Sequence, residues 1–121
     1  MTDDELFEAF VSDEYFLEEM EVEAGRAGFS MEVLDREFRF DPSSSDTYSD
    51  YLPTIYARVD LDQIYNDKAY LTVKMELPSE IDGDDLSYED SFEYIADQYM
   101  EAAKFCTWLQ KNGVSLSMEE E

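Results

Sequence analysis

The side chains that most often carry out catalysis are scarce in this sequence. It contains no histidine, so the commonest general base and the imidazole metal ligand are both absent. Its single cysteine, Cys106, falls at an apolar position of a helical pattern, which favours a core role over a nucleophilic one. No phosphate-binding loop, glycine-rich dinucleotide turn or serine-nucleophile elbow occurs. We therefore expect a protein that is not an enzyme and uses no cofactor.

Carboxylates are the one reactive group in excess. The chain of 121 residues carries 32 acids against 8 bases, a net charge of −24. Among so many acids, a pair at hydrolytic spacing is not a specific signal. The run Asp82-Gly83-Asp84-Asp85 offers oxygen ligands, but it lacks the spacing and the final bidentate glutamate of an EF-hand loop. We expect no dedicated metal site.

The acids are concentrated in two blocks. Residues 1–25 and residues 75–103 each hold ten acids and no base, whereas residues 26–74 hold nine acids and six bases. Such a chain is repelled by nucleic acid and by anionic membranes, and it is attracted to basic surfaces. Adaptation to high salt would acidify every exposed surface. It therefore fits poorly with the near-neutral middle and the 15% aromatic content.

Sequence signals place both acidic blocks on helices. Thr2-Asp3-Asp4-Glu5 matches a capping box and Ser12-Asp13 a second helix start. Residues 3–25 are therefore predicted to form one bent helix or two consecutive ones, ending near a glycine. Residues 88–111 are predicted to form a long helix because an apolar stripe recurs at helical spacing, made by Tyr88, Phe92, Ile95, Tyr99, Ala102, Ala103, Cys106 and Leu109.

Between the helices, apolar residues alternate with polar ones, as in a half-buried strand. Residues 54–62 and 69–77 predict an antiparallel hairpin with one buried face, which turns at Tyr65-Asn66-Asp67-Lys68. Residues 29–40 predict a strand with a bulge, because the alternation slips in phase. The remaining segments are predicted to be a loop at 41–53, an acidic loop at 79–86 and a short edge strand at 114–118.

The order of elements predicts an α+β fold. We expect an N-terminal helical segment, an antiparallel sheet of two to four strands and a long C-terminal amphipathic helix packed on the sheet. The length fits one domain spanning 1–121, of which 118–121 form an acidic tail.

Within the predicted helices the acids recur every four residues. Four helical residues rise about 6 Å, and each strand of DNA carries a phosphate every ~3.4 Å of axis. An acid at each turn thus gives a rigid row of negative charges near phosphate pitch. Like charges at this spacing cost a helix roughly 0.2–0.5 kcal/mol per pair, so helix stability alone does not explain the pattern. The plain alternative is that each charge run is only a solvated helix face.

In size, charge, aromatic content, absence of histidine and helical acid rows, the chain resembles the small acidic DNA-mimic proteins of phages and mobile elements. The resemblance is at class level, and the class shares no common fold. It implies a non-catalytic inhibitor that occupies the basic nucleic-acid-binding surface of a restriction, CRISPR or DNA-repair protein without binding nucleic acid itself. The residues expected to contact that partner are Glu14, Glu18, Asp82, Asp84, Asp85, Glu89, Asp90, Glu93, Asp97, Glu101 and Trp108.

A second resemblance is topological and implies an alternative function. Residues 70–105 look like the closing strand, acidic loop and helix of secretion-chaperone-like domains, which are acidic α+β dimers that hold a partner chain. A chaperone or adaptor of this kind needs an exposed apolar groove. Trp108, near Tyr94 and Phe105, would then belong to an aromatic patch for a dimer or a partner, unless a neighbouring element covers it.

The expected location is the cytoplasm, in the host cell if the protein is phage-encoded. The first residues lack the basic segment of a secretory signal, and no apolar run approaches the ~18 residues that a membrane span needs. One cysteine cannot form an intrachain disulfide. We expect no membrane contact, and a homodimer stays open.

Overall fold

In the described parts of the chain, three α-helices pack on one face of an antiparallel sheet. The computed structural model describes residues 2–43, 51–78 and 89–116, with the backbone alone for residues 89–92. This arrangement confirms the predicted α+β fold class. The elements are α1 (Asp3–Val11), α2 (Glu14–Arg26), β1 (Phe29–Leu34), β2 (Glu37–Pro42), β3 (Thr54–Arg58), β4 (Ile64–Tyr65), β5 (Lys68–Ala69), β6 (Thr72–Glu76), α3 (Glu89–Lys111) and β7 (Val114–Ser115).

The two N-terminal helices begin at the predicted capping signals. The Thr2 side chain accepts the Glu5 backbone N–H at 3.2 Å, and the Glu5 carboxylate accepts the Thr2 N–H at 2.8 Å. Asp13 caps α2 by accepting the Phe16 N–H at 3.0 Å. Both caps satisfy backbone donors that have no partner inside the helix. Of the two predicted alternatives, one bent helix or two consecutive ones, the structure has two consecutive helices. The chain leaves α2 through Gly28, whose φ is 90°.

The prediction of one bulged strand at 29–40 is wrong. The segment forms two strands, β1 and β2, joined by a tight turn at Asp35 and Arg36. The phase slip between Val33 and Phe38 marks this turn. Arg36 adopts a φ of 66°, a left-handed conformation that glycine or asparagine usually occupies, so the usual turn signal was missing. β2 also extends to Pro42, so the predicted loop at 41–53 begins later, and its residues 44–50 lie outside the described residues.

The main sheet has the strand order β1-β2-β3-β6, and every neighbouring pair is antiparallel. The predicted hairpin is confirmed as the pairing of β3 with β6, in which Ile55 lies opposite Met75. Its strands are shorter than predicted. Leu61 and Leu77 lie outside them, with 40% and 61% of their surface exposed. The predicted acidic loop at 79–86 lies outside the described residues.

A small second sheet grows from the connection between β3 and β6. Its strand order is β4-β5-β7, so the predicted edge strand after α3 pairs with β5. Asn66 and Asp67 form the turn between β4 and β5 with φ values of 53° and 65°, as expected for the two central residues of a type I′ turn. The predicted turn is confirmed. Met118 lies outside the described residues.

The core lies between the helices and the inner face of the main sheet. Phe38 and Phe40 of β2 are fully buried and contact helical aromatic rings on two sides. The Phe7 ring of α1 lies 5.4 Å from that of Phe38, and the Phe105 ring of α3 meets Phe40 edge-on at 4.7 Å. Such contacts add to the area burial that drives the fold.

The buried stripe of α3 differs in phase from the predicted one. Ile95, Ala102 and Leu109 are buried as predicted, but Phe105 is also buried, with 3% of its surface exposed. Ala103 is exposed. The buried stripe of α3 is therefore rotated toward α2. The helical spacing of apolar residues within α3 alone could not show that α2 is its neighbour. The side chains of Tyr88 and Phe92 lie outside the described residues.

Candidate functional site

The acidic surface is built where α2 and α3 lie side by side. Trp108, near the end of α3, stacks on Phe16, near the start of α2, with ring centroids 5.7 Å apart. Just past the other end of α2, a methyl group on Gly28 would lie 3.1 Å from the Gln98 side-chain oxygen of α3. Residues later in α2 thus lie beside residues earlier in α3. The two helices are antiparallel neighbours, and the acidic part of α3 continues past the end of α2.

Seven acids occupy this surface, which we call the acidic helix face. Glu93 and Asp97 are exposed on α3, and Glu101 beside them is half-buried. The predicted partner-contacting residues on α2 are Glu14 and Glu18, which are exposed. They do not include Glu19 and Glu23, which are half-buried and lie toward α3, although these two also follow the spacing of four residues. The available signal was their spacing of three and seven residues from the buried Phe16. The acidic helix face comprises Glu14, Glu18, Glu19, Glu23, Glu93, Asp97 and Glu101. On α2 these acids form two rows on different sides of the helix, Glu14 with Glu18 and Glu19 with Glu23, and the second row is the one beside α3.

Five of the predicted partner-contacting acids carry no side-chain description. Glu89 and Asp90 lie in the first turn of α3, which the structure describes by its backbone only. Asp82, Asp84 and Asp85 lie outside the described residues. The acidic helix face is therefore argued from the remaining predicted acids and the two additions on α2.

Only two ion pairs of the described residues touch the acidic helix face. Arg26 contacts Glu23 at 2.9 Å, and Lys104 contacts Glu101 at 3.4 Å. All four side chains line one cavity of about 270 Å³ between the two helices. Exposed pairs of this kind contribute little to stability, typically ~0–1 kcal/mol. The rest of the acidic helix face has no ion-pair partner among the described residues, so its negative field is open to solvent.

Trp108 is half-buried rather than fully exposed. It stacks on Phe16, and its ring is also nearly parallel to that of Phe105, at 6.4 Å and 14°. Helix α2 thus covers Trp108 on one side. This agrees with the alternative in which a neighbouring element covers Trp108, rather than with a fully exposed aromatic patch. Phe105 is buried and Tyr94 is half-buried. Trp108 nevertheless reaches a small cavity at the end of the α2–α3 seam.

The outer face of the main sheet has a different electrostatic character. Cross-strand register places Glu32, Arg39, Tyr56 and Lys74 in one row across the four strands. The Arg39 guanidinium contacts Asp41 at 3.0 Å and lies 6.0 Å from the Tyr56 ring centroid. The hydrogen bond to Asp41 raises the pKa of Arg39. Charges of both signs therefore alternate on this face, in contrast to the acidic helix face.

The groups with potential for chemistry have ordinary structural surroundings. Cys106 is half-buried beside the core, and burial raises the pKa of its thiol, which keeps the thiol protonated and weakly nucleophilic at neutral pH. Within residues 2–43, 51–78 and 89–116, no group of three acids or cysteines is placed to hold a metal ion. No helix in these segments is long and apolar enough to cross a membrane.

The fold and the site together define an α+β domain with a one-sided acidic helical surface. No known protein family, curated protein or solved structure matches this chain.

Proposed function

We propose that this protein is a non-catalytic DNA mimic, an inhibitor that occupies the basic nucleic-acid-binding surface of a target protein. A restriction, CRISPR or DNA-repair enzyme of the cytoplasm is the kind of target it fits, as in phage defence against its host. The observation that carries the proposal is the joining of two acid rows, on α2 and α3, into one acidic helix face with few cations of its own.

The dimensions of the acidic helix face suit a surface that binds a DNA strand. From Glu19 to Glu23, α2 advances about 6 Å, and from Glu101 to Glu93, α3 continues for about 12 Å. The combined row of about 18 Å corresponds to roughly five phosphates of one strand at 3.4 Å per step. The charges sit on helices that pack on a common core, so partner binding requires little ordering of the chain.

The other surfaces favour a target that binds from the helical side. The outer sheet face mixes both signs of charge, so a basic partner is attracted to it far less. The exposed large apolar side chains of the described residues are spread over α2, β1, the 61–65 segment, the end of β6 and α3. This distribution favours charge over an apolar groove as the means of partner binding.

The direct test compares two variants with the same change in net charge. Glu18→Gln with Glu93→Gln and Asp97→Asn removes three charges from the acidic helix face. Glu32→Gln with Asp35→Asn and Asp62→Asn removes three exposed charges elsewhere. Proteins captured from a bacterial lysate by the tagged chain would be assayed for release of a fluorescent DNA duplex.

The first variant should inhibit at least about ten-fold less well, mainly through slower association that depends on salt. The second variant should lose much less of its inhibitory activity. The proposal is contradicted if the chain binds the duplex itself, if the captured proteins do not bind nucleic acid, or if both variants inhibit equally. Loss of partner binding in Trp108→Ala alone, with the first variant fully active, would favour the adaptor alternative.

A further inference from the structure

The α2–α3 seam ends in a small cavity, which we call the Trp108 pocket. Its volume is about 180 Å³, and it lies between the first turns of α2 and the last turn of α3. Tyr15, with 74% of its surface exposed, forms part of the wall. The residues that line the Trp108 pocket are Asp13, Tyr15, Phe16, Glu19, Trp108 and the Asn112-Gly113 pair.

The Trp108 pocket holds two carboxylates and no cation. One oxygen of Asp13 caps α2, which leaves the other oxygen available. Glu19 is half-buried and makes no ion pair within the described parts of the chain. The cavity two turns farther along the seam differs, because its two acids, Glu23 and Glu101, are paired with Arg26 and Lys104. Of these two cavities along the seam, the Trp108 pocket is therefore the one without a cation in its lining.

Its walls are aromatic and held in place. Trp108 is fixed by stacking on Phe16 and on Phe105, so the Trp108 pocket needs little rearrangement to admit a ligand. The pocket lies between the C-terminal end of α3 and the N-terminal end of α2, where the two helix dipoles oppose each other, so the carboxylates of Asp13 and Glu19 set its preference for a positive group. A side chain with an apolar stem and a cationic head fits this combination.

We propose that the Trp108 pocket receives one arginine side chain of the basic partner. This inference rests on the proposed function, since the surface of a target protein that binds DNA phosphates presents arginines. The stem would pack against the rings of Tyr15 and Trp108, and the guanidinium would donate to the carboxylates of Asp13 and Glu19. Arginine suits the site better than lysine, because its planar head packs against rings and can donate to two carboxylates at once.

The only tryptophan of the chain lies in the pocket, so its fluorescence reports occupancy directly. The intact protein would be titrated with nona-arginine and with nona-lysine at equal ionic strength. Nona-arginine should shift the Trp108 emission saturably and bind several-fold more tightly than nona-lysine. Equal affinities with equal emission changes, or no emission change at saturation, would overturn the arginine site.

A matched pair of variants separates the pocket from general charge attraction. Glu19→Gln should weaken nona-arginine binding about ten-fold, the loss expected for a charged hydrogen bond. Glu23→Gln, four residues along the same helix, removes the same charge from a carboxylate already bonded to Arg26, and should weaken it about two-fold. Circular dichroism would confirm that both variants fold.

Equal effects of the two variants would show that the peptide senses only the overall field. That result would overturn the Trp108 pocket while leaving the DNA-mimic function intact, since DNA release from the captured target is measured separately. Failure of DNA release, with the pocket still selective for arginine, would instead contradict the proposed function.

Discussion

Gly113 lies where α3 ends, and its α-carbon faces the backbone of β5. A methyl group there would overlap the carbonyl oxygen of Ala69 and come within 2.9 Å of the Tyr70 ring. Backbone cannot move aside as a flexible side chain can. Gly113→Ala should therefore separate β7 from β5 and destabilise the protein by about 1–3 kcal/mol in urea unfolding.

Gly25 provides the opposite case within the same protein. It lies inside α2, and a methyl group there would meet nothing within 4 Å. Gly25→Ala should stabilise the protein by roughly 0.5–1 kcal/mol, because alanine loses less backbone freedom in a helix. Equal effects of the two substitutions would show that the close approach at Gly113 does not constrain the fold.

Cys106 links stability to alkaline pH. Burial raises the pKa of its thiol in the folded state, so folding favours the protonated form. The stabilisation is complete below the unfolded pKa of ~8.5 and is lost as the pH rises through the folded pKa. The free energy of unfolding should therefore begin to fall above about pH 8.5. Cys106→Ser should remove this fall, whereas the loss that begins near pH ~10, from tyrosines such as Tyr99 whose pKa is raised by burial, should remain. Parallel curves for the two proteins would argue against a buried thiol.

At the scale of elements, the capping box of α1 offers a local test. Thr2→Ala removes the acceptor for the Glu5 N–H and should cost about 1 kcal/mol of stability. Thr2→Ser keeps a hydroxyl in the same place, so its free energy of unfolding should stay within a few tenths of a kcal/mol of the wild-type value. Urea unfolding followed by circular dichroism measures both. If alanine and serine behave alike, the hydroxyl contributes nothing to α1.

The helices could be predicted because each combines a local start signal with an apolar stripe. The turn at Arg36 could not, since no glycine or asparagine marks it. Its left-handed conformation coincides with tertiary contacts, namely the 2.7 Å bond from Arg36 to Asp4 of α1 and the hydrogen bond from the Val59 N–H to the Arg36 carbonyl. The alternation also predicted that the hairpin strand includes Leu61. In the structure, Asp60 instead caps a 3-10 turn that begins at Leu61, so the strand ends before it.

The candidate site was predictable only in part. Spacing along each helix identified the acid rows because that spacing is local. These rows are Glu14 with Glu18, Glu19 with Glu23, and Glu93 with Asp97 and Glu101. It could not show that α2 and α3 are antiparallel neighbours, which depends on long-range packing of Phe16 against Trp108. Glu19 therefore gains its place in the Trp108 pocket only from the tertiary structure.

At the scale of the whole molecule, charge is separated between two sides. The acidic helix face repels itself, whereas the outer sheet face pairs opposite charges across its strands, as Arg58 and Glu37 do at 4.0 Å. Helix formers with alternating signs would have been more stable. Among the described residues, the unfavourable charge pattern is thus concentrated on the helical side, as the proposed binding function would require.

This self-repulsion should make the stability depend on salt. The Debye length falls from about 30 Å at 0.01 M to 10 Å at 0.1 M, so added NaCl screens charges across the acidic helix face. A net charge of −24 destabilises the compact state through repulsion. The Tm should therefore rise between 0.01 M and 0.5 M NaCl, by roughly 4 °C for each 1 kcal/mol of repulsion relieved.

The two charge variants locate the source of this repulsion. Glu18→Gln with Glu93→Gln and Asp97→Asn relieves the i,i+4 repulsions with Glu14 and Glu101 and should raise the Tm at low salt. Its gain from NaCl should be smaller than that of Glu32→Gln with Asp35→Asn and Asp62→Asn, although both lose the same charge. Sucrose at matched osmolality controls for general exclusion from the protein surface. A Tm that is flat in NaCl, or equal salt gains in the two variants, would mean that the acids are compensated locally and that the acidic helix face holds no concentrated field for a basic partner.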